Sequence, residues 1–449
     1  MKGKIMIERM RHRMRLSFAA WLGLVTYISM AIIVPAAPSD AAETAFKVAR
    51  AVNIAQWFTW PRYQGNSIAW PAYKNCPAPP TVDQLKTLKQ AGFDTVRLPV
   101  DPAPFIVFEG NQREAVYDIL FDALARIKAA GLRTIVDIHP NSAHPVWGQN
   151  AVATGLESPA FLAAAGFAEQ LARHFTVADR AWIALELLNE PRLKCTGTDQ
   201  DLWQKMVQYT VRRVRAVNPA ISLVVSGACS SSVVGLLALD PAPFHDTNIL
   251  YTFHFYDPFS FTHQGAQFIR WPDKYLDGVP WPASARDIAE PLALMDRRVA
   301  STCALDEAAR AQARNGALNN LKRFYASGAG PEMIRAQFAE VRAWADRHGI
   351  APAKILNGEF GVIRRSAGKP GAFCQDRMRW LRDVREASER QGFAWAYFSY
   401  DGPFALLAEG DDNSHEPAVL ASLGLPSPCT QTGAVSDAAA SNATGGCCA

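Results

Sequence analysis

Once its first 42 residues are set aside, the chain has no excess of charge of either sign. The formal net charge is +4 over 449 residues. Residues 1–42 hold six basic side chains against Glu8 and Asp40, which is also +4, so residues 43–449 sum to zero. No basic face is implied, and this argues against nucleic acid as a partner. Metal-site spacing is missing too. None of the eight cysteines falls in a zinc pattern, and the histidines offer no third ligand at a suitable spacing. The cysteines are expected to staple loops as disulfides, with the pairing left open. The stretch 427–449 is small and polar, rich in Ser, Ala and Gly, and reads as a disordered tail.

A core is well supplied. Hydrophobic residues make up 49% and charged residues 20%, ordinary proportions for a large globular domain. Twelve tryptophans suit a protein that stacks on flat ligand faces. Lys2, Lys4, Arg9, Arg11, Arg13 and Arg15 precede an apolar run, 16–34, followed by Ser39-Asp40-Ala41 as a cleavage site. Residues 1–42 therefore read as an export signal, with a retained membrane anchor through 16–34 as the alternative. Either reading puts the rest of the chain outside the cytoplasm, in the periplasm or the extracellular space.

Residues 43–426 alternate between apolar runs of strand length and amphipathic helical stretches. The strands are expected at 46–54, 93–99, 132–139, 182–190, 221–226, 248–256, 354–361 and 392–399. Thr81 and Gln84 form a capping box before the first helix. Further helices are expected at 114–130, 159–175, 199–217, 332–348, 373–390 and 417–423. Eight such units predict a single (β/α)8 barrel. The gap between strands six and seven is too long for one crossover. We expect a long insertion, 259–353, over the end of strand six, with loop at 259–282 and one or two short helices within 283–325.

Several strands end on polar side chains. Asn189 and Glu190 close strand four, where Pro191 stops the ladder. Glu359 closes strand seven, Arg97 strand two, His139 strand three, and His254 and Tyr256 strand six. Alternation along each strand puts Glu190, Leu188 and Glu186 on one face, and Glu359, Asn357 and Ile355 on one face. Two carboxyls at one rim suggest acid/base work on a bond between sugars. In that reading Arg97 holds the attacking carboxylate ionised and Tyr256 donates to it. Asn189 binds the sugar 2-hydroxyl, and His139 and His254 orient hydroxyls. Glu186 lies deeper and reads as a buried structural partner. Trp57, Trp60, Trp70 and Trp147 are either loop core or sugar platforms, with Trp57 nearest the cleft.

The ordered set Thr95-Val-Arg97-Leu-Pro99, Asp137-Ile-His139, Leu188-Asn189-Glu190-Pro191, His254-Phe-Tyr256 and Gly358-Glu359-Phe360-Gly361 resembles glycoside hydrolase family 5, the cellulase-type barrels. The resemblance covers roughly residues 46–425. It implies a retaining β-glycosidase with Glu190 as acid/base and Glu359 as nucleophile. It implies a substrate-binding shell of Arg97, His139, Asn189, His254 and Tyr256. The family ends strand eight with a tryptophan under the attacked sugar. Here Phe398 stands in that place, and Trp395, of opposite parity, is expected to pack outward. The expected substrate is a β-linked oligo- or polysaccharide, with an endo-β-1,4-glucanase preferred. An exo-acting β-glucosidase or β-1,3-glucanase is the alternative, and a non-catalytic glycan-binding barrel the competing class. No cofactor or metal is called for, since carboxyls and water suffice. A monomer is expected.

Overall fold

The computed structural model describes residues 45–426, apart from 74–77, 143, 270–271, 367 and 412–413. The segments expected to be an export signal or anchor and a C-terminal tail lie outside the described residues. Those described belong to a compact unit spanning Thr44–Ala449, and no helix among them is long and apolar enough to cross a membrane.

Eight parallel strands close a barrel. They are β1 (Arg50–Asn53), β2 (Thr95–Val100), β3 (Arg133–Ile138), β4 (Ile183–Glu186), β5 (Ser222–Ser226), β6 (Ile249–His254), β7 (Ile355–Phe360) and β8 (Ala394–Tyr397). Each pairs with the next in sequence, and β8 pairs with β1. The main outer helices are α1 (Val82–Gln90), α2 (Gly110–Ala129), α3 (Pro159–His174), α4 (Gly197–Val217), α5 (Val233–Leu237), α6 (Pro331–Arg347), α7 (Cys374–Gln391) and α8 (Pro417–Ser422). The Thr81–Gln84 capping box forms as expected: Thr81 Oγ1 accepts from the Gln84 N–H and the Gln84 side chain from the Thr81 N–H.

Strand alternation divides the core. Ala51, Ile135, Ala184, Val224, Leu250, Leu356 and Ala396 fill the barrel. Their strand neighbours Val52, Val136, Leu185, Val225, Phe253, Ile355 and Trp395 face the helices. Trp395 packs outward, edge-on to Phe93 and Phe360.

Two of the expected faces are wrong, each for a local reason. In β7 the ladder slips by one residue. Phe253 and His254 of β6 stand opposite Asn357 and Glu359, and Trp395 and Tyr397 of β8 opposite Asn357 and Phe360. Gly358 is the extra residue of a β-bulge. Ile355 and Asn357 therefore point outward with Phe253 and Trp395, while Leu356 points in. Without the bulge Glu359 would face the helices; with it, Glu359 enters the barrel. Only glycine fits there, since a Cβ on Gly358 would come within 2.4 Å of Thr252 Oγ1. In the fourth strand the ladder ends at Glu186. Leu187 and Leu188 both turn outward, where they line a small cavity with Phe161 of α3 and Trp203 of α4. Asn189 and Glu190 sit beyond the strand, and Glu190 takes a left-handed φ of 43°.

The insertion holds more helix than expected. After a short turn, Phe259–Thr262, come a 12-residue helix, Ala289–Ala300, and a 20-residue helix, Glu307–Ala326. It leans toward β7 and β8 as well as β6. Thr262 O accepts from the Ile363 N–H, and Phe268 stands 6.4 Å from Phe404.

Cys195 and Cys229 form a disulfide between the loops that follow β4 and β5. The Cys229 and Ser230 N–H groups donate to Leu193 O and Pro191 O. Cys229, Ser230 and Ser231 all have positive φ, 53–56°. L-residues adopt a left-handed turn only when the surroundings impose it. This pair joins residues 34 apart. Loop-closure entropy gives it about 4 kcal/mol. Replacing both cysteines by serine should lower the thermal midpoint by about 5 °C in a domain of this size, read by circular dichroism. An unchanged midpoint would show that the surrounding hydrogen bonds alone hold the turn.

Candidate active site

The site is organised around Arg97, which is fully buried. From β2 its guanidinium is reached by five side chains carried by four other strands or their ends, β1, β3, β4 and β7. Nε and Nη2 donate to the two oxygens of Glu186, each at 2.8 Å. Nη2 also donates to Asn189 Oδ1 at 2.9 Å and pairs with Asp137 Oδ2 at 3.0 Å. Nη1 donates to Asn53 Oδ1 at 2.9 Å and Glu359 Oε1 at 2.6 Å. Three acidic groups therefore share one cation. Burial raises Glu186 and pushes Asp137 up to about 7, against the pull of Arg97. Glu186 is the buried structural partner that its depth suggested.

Glu190 and Glu359 meet at this rim. Tyr256 Oη donates to Glu359 Oε2 at 2.9 Å. Burial, then the neighbouring carboxyls, hold the Tyr256 phenol well above its ordinary range, so it remains a donor. His254 Nδ1 lies 3.0 Å from Glu190 Oε1 and 3.5 Å from Glu359 Oε2. Burial drives His254 down to about 4, so it is neutral near pH 7. With its proton on Nδ1, it donates to Glu190. Burial also raises Glu190, while His139 and Arg97 oppose that shift. The Glu190 side chain is 27% exposed and that of Glu359 5%, so Glu190 is the more open of the two.

His139 Nδ1 donates to Asp137 Oδ2 at 2.8 Å, and its Nε2 accepts from Asn189 Nδ2 at 3.2 Å. That pattern fixes the neutral tautomer, and burial lowers the imidazole pKa. The Asn189 amide is thus engaged on both sides, by Arg97 and by His139. Phe398 follows β8 with its ring edge-on to Tyr256 at 6.4 Å and to Phe404 at 5.4 Å. Trp57 stands apart from the Arg97 network, half-buried and stacked on Phe58 at 5.5 Å. Trp60 and Trp70 are 58% and 43% exposed, too open for loop core, whereas Trp147 packs against the core.

Two contributors escaped the sequence reading. Asn53 ends β1 and touches both Arg97 and the bulge of β7. Gln149, which opens the short helix Gln149–Val152 after β3, donates to the Glu190 carbonyl at 2.8 Å and supports its left-handed backbone. Asn53 closes β1 after the buried Ala51 and Val52, an amide at a strand end as Asn189 is. No local pattern marks Gln149.

Among the described residues, the ligating atoms of Glu190, His254 and Glu359 lie within 4.8 Å of one another, close enough to hold a cation. The same distance bounds the approach of the two glutamates. Carboxyl groups this near each other, at the mouth of a parallel barrel, suit the breaking of glycosidic bonds. Fold and site together define the class of barrel glycoside hydrolases. Within that class the chain belongs to the cellulase family, glycosyl hydrolase family 5, whose model matches residues 55–402. It is 24% identical over 338 residues to endoglucanase 3 of Fibrobacter succinogenes, covering 73% of this chain and 47% of that protein. It is 27% identical over 327 residues to endoglucanase C of Acetivibrio thermocellus, covering 71% of this chain and 83% of that one. The chain thus spans about half the length of the first relative and most of the second. Cellulose synthase subunit Z of Clostridioides difficile shares the fold, with a TM-score of 0.57, 20% identity and coverage of 84% of this chain and 99% of that one.

Proposed function

We propose that the protein hydrolyses β-linked glucan with retention of configuration, and that an endo-β-1,4-glucanase is its best description. The observation that carries this reading is the approach of the Glu190 and Glu359 carboxyl oxygens to within 4.8 Å. Retaining enzymes hold these groups about 5–5.5 Å apart, and inverting ones roughly 6.5–9.5 Å, to admit a water. The names of the two endoglucanase relatives support the glucan.

In this mechanism Glu359 attacks the anomeric carbon as the glycosidic C–O bond breaks. Glu190 gives its proton to the departing oxygen. Glu190 then takes a proton from water, which attacks the same carbon and frees Glu359. Arg97 and Tyr256 orient the Glu359 oxygens. His254 holds Glu190, and Asn189 with His139 faces the sugar hydroxyls. Phe398 offers the attacked sugar a smaller stacking face than tryptophan would. Trp57, Trp60 and Trp70 extend the aromatic surface along the loop after β1. The apolar segment 16–34 serves export in this account, and the enzyme works outside the cytoplasm as a monomer.

The raised Glu190 carboxyl gives a pH test. Glu190 is competent as an acid while protonated, below its pKa. Because burial raises that pKa, the alkaline fall in kcat/KM should come above the ordinary glutamate range. In Glu190→Ala, hydrolysis of soluble cellulose derivatives should drop roughly 10²–10⁴-fold. A dinitrophenyl β-cellobioside, whose leaving group needs no proton, should be cleaved in the first step without the alkaline limb. Persistence of that limb in the variant would remove Glu190 from the acid role. A reducing-sugar screen over cellulose, lichenan, laminarin, mannan and xyloglucan, with viscosity measured alongside, tests linkage and endo action. Reducing ends released without a fall in viscosity would favour the exo-acting reading, which the insertion beside β6–β8 makes sterically reasonable.

A further inference from the structure

We propose that Asn53 is a positioning residue for Glu359, fixing the nucleophile by gripping the bulge of β7 and the guanidinium of Arg97 at once. The inference rests on reading Glu359 as the nucleophile.

The bulge is what turns Glu359 into the barrel. A bulge takes one residue out of ladder pairing and leaves its backbone groups in need of other partners. The Gly358 carbonyl finds its donor in Asn53, whose Nδ2 lies 3.0 Å away and also donates to Tyr397 O of β8 at 3.2 Å. One amide thus spans both sides of the slipped ladder. Its other end does separate work. Asn53 Oδ1 accepts from Arg97 Nη1, the same nitrogen that donates to Glu359 Oε1. The backbone before Glu359 and the cation beside its carboxylate are therefore tied to one side chain. Asn53 is completely buried and so acts on substrate only through Glu359. On the far side of the bulge Gly358 abuts Thr252 and His254. The bulge is held from β1 and walled by β6. Releasing the Asn53 end lets it shift toward the regular ladder, which aims residue 359 away from the sugar.

The test uses Asn53→Ala and Asn53→Asp in the full chain. Aspartate matches asparagine in volume and still accepts from Arg97, but it cannot donate to the Gly358 carbonyl. The readouts are kcat and KM for dinitrophenyl β-cellobioside, normalised to active sites counted by covalent trapping with its 2-deoxy-2-fluoro analogue. We expect kcat to fall about 100-fold in both variants, the scale of a misplacement of about 1 Å. KM should stay within about threefold. Normal kcat per trapped site with only a lowered unfolding temperature would assign Asn53 to stability and overturn the proposal. So would the failure of both variants to fold. If alanine alone fails to fold, the aspartate variant decides. Wild type that is never trapped on Glu359 would sink the proposed function itself. Wild type trapped there, with both variants at full rate, would sink this inference alone.

Discussion

Glutamine in place of Glu359 should reduce glucan hydrolysis by roughly 10⁴–10⁶-fold, the scale on which covalent catalysis fails when its nucleophile is removed. The variant should still fold. Glutamine keeps the volume, and its carbonyl oxygen can accept from Arg97 Nη1 where Glu359 Oε1 now does. The lost charge does not strand the guanidinium, because Glu186 and Asp137 remain beside it. Unfolding should therefore occur within a few degrees of wild type, and soluble oligosaccharide should still bind. E359Q retaining more than about 1% of wild-type activity would exclude the double-displacement scheme. A non-catalytic glycan-binding barrel predicts that wild type and variant are equally inert, so the same pair of proteins separates the two classes.

Arg97→Met should have a large effect on stability. It leaves Glu186 and Asp137, both wholly buried, without their cation. Removing one member of a buried ion pair typically costs about 3–5 kcal/mol. For a domain of this size that is a fall in midpoint of about 4–6 °C, or more if both acids are affected independently. The deficit should depend on pH with a definite sign. A carboxyl whose folded pKa is raised binds its proton more tightly in the folded state. Its contribution to stability is present at low pH and lost as pH rises through the folded value. Asp137 already stands at about 7 with Arg97 beside it. The variant's deficit should therefore be small near pH 4 and grow as pH rises through 7. Arg97→Lys should recover part of the stability. It should not recover activity, because an ammonium cannot reproduce the fork that meets Glu186 with two nitrogens and Glu359 with a third. Wild-type unfolding of Arg97→Met across this range would show that the network contributes nothing net to stability.

Much of this arrangement was legible in the amino-acid sequence. Apolar runs of strand length ending in Arg97, His139, Asn189-Glu190, His254-Tyr256 and Glu359 point to the barrel and to the rim where these side chains meet, because a buried strand displays polar groups only where it leaves the core. Parity alone puts Trp395 outward, where the structure has it. Parity failed in β7 and just past β4. A residue count cannot tell which position is skipped by the ladder. Gly358 invites a bulge, but its register is set by β6 and β8, which are distant in sequence. The direction of Leu188 escapes parity for the same kind of reason, since the ladder stops at Glu186 and the next residues follow α3 and α4. Asn53 ends a strand as Asn189 does, but its role is not readable locally, because its partners lie on β2, β7 and β8. The cysteine pairing was unreadable until the loops after β4 and β5 were seen side by side.

Because the Arg97 guanidinium of the second strand is shared by residues from the first, third, fourth and seventh, the floor of this site behaves as a single mechanical unit. No one of Asn53, Asp137, Glu186, Asn189 or Glu359 can drift without disturbing the others. Substitutions that leave this floor intact are those in the walls above it, the loop after β1 with its open tryptophans and the helical insertion after β6. A laboratory effort to retarget the enzyme would do well to recombine those walls and leave the floor untouched.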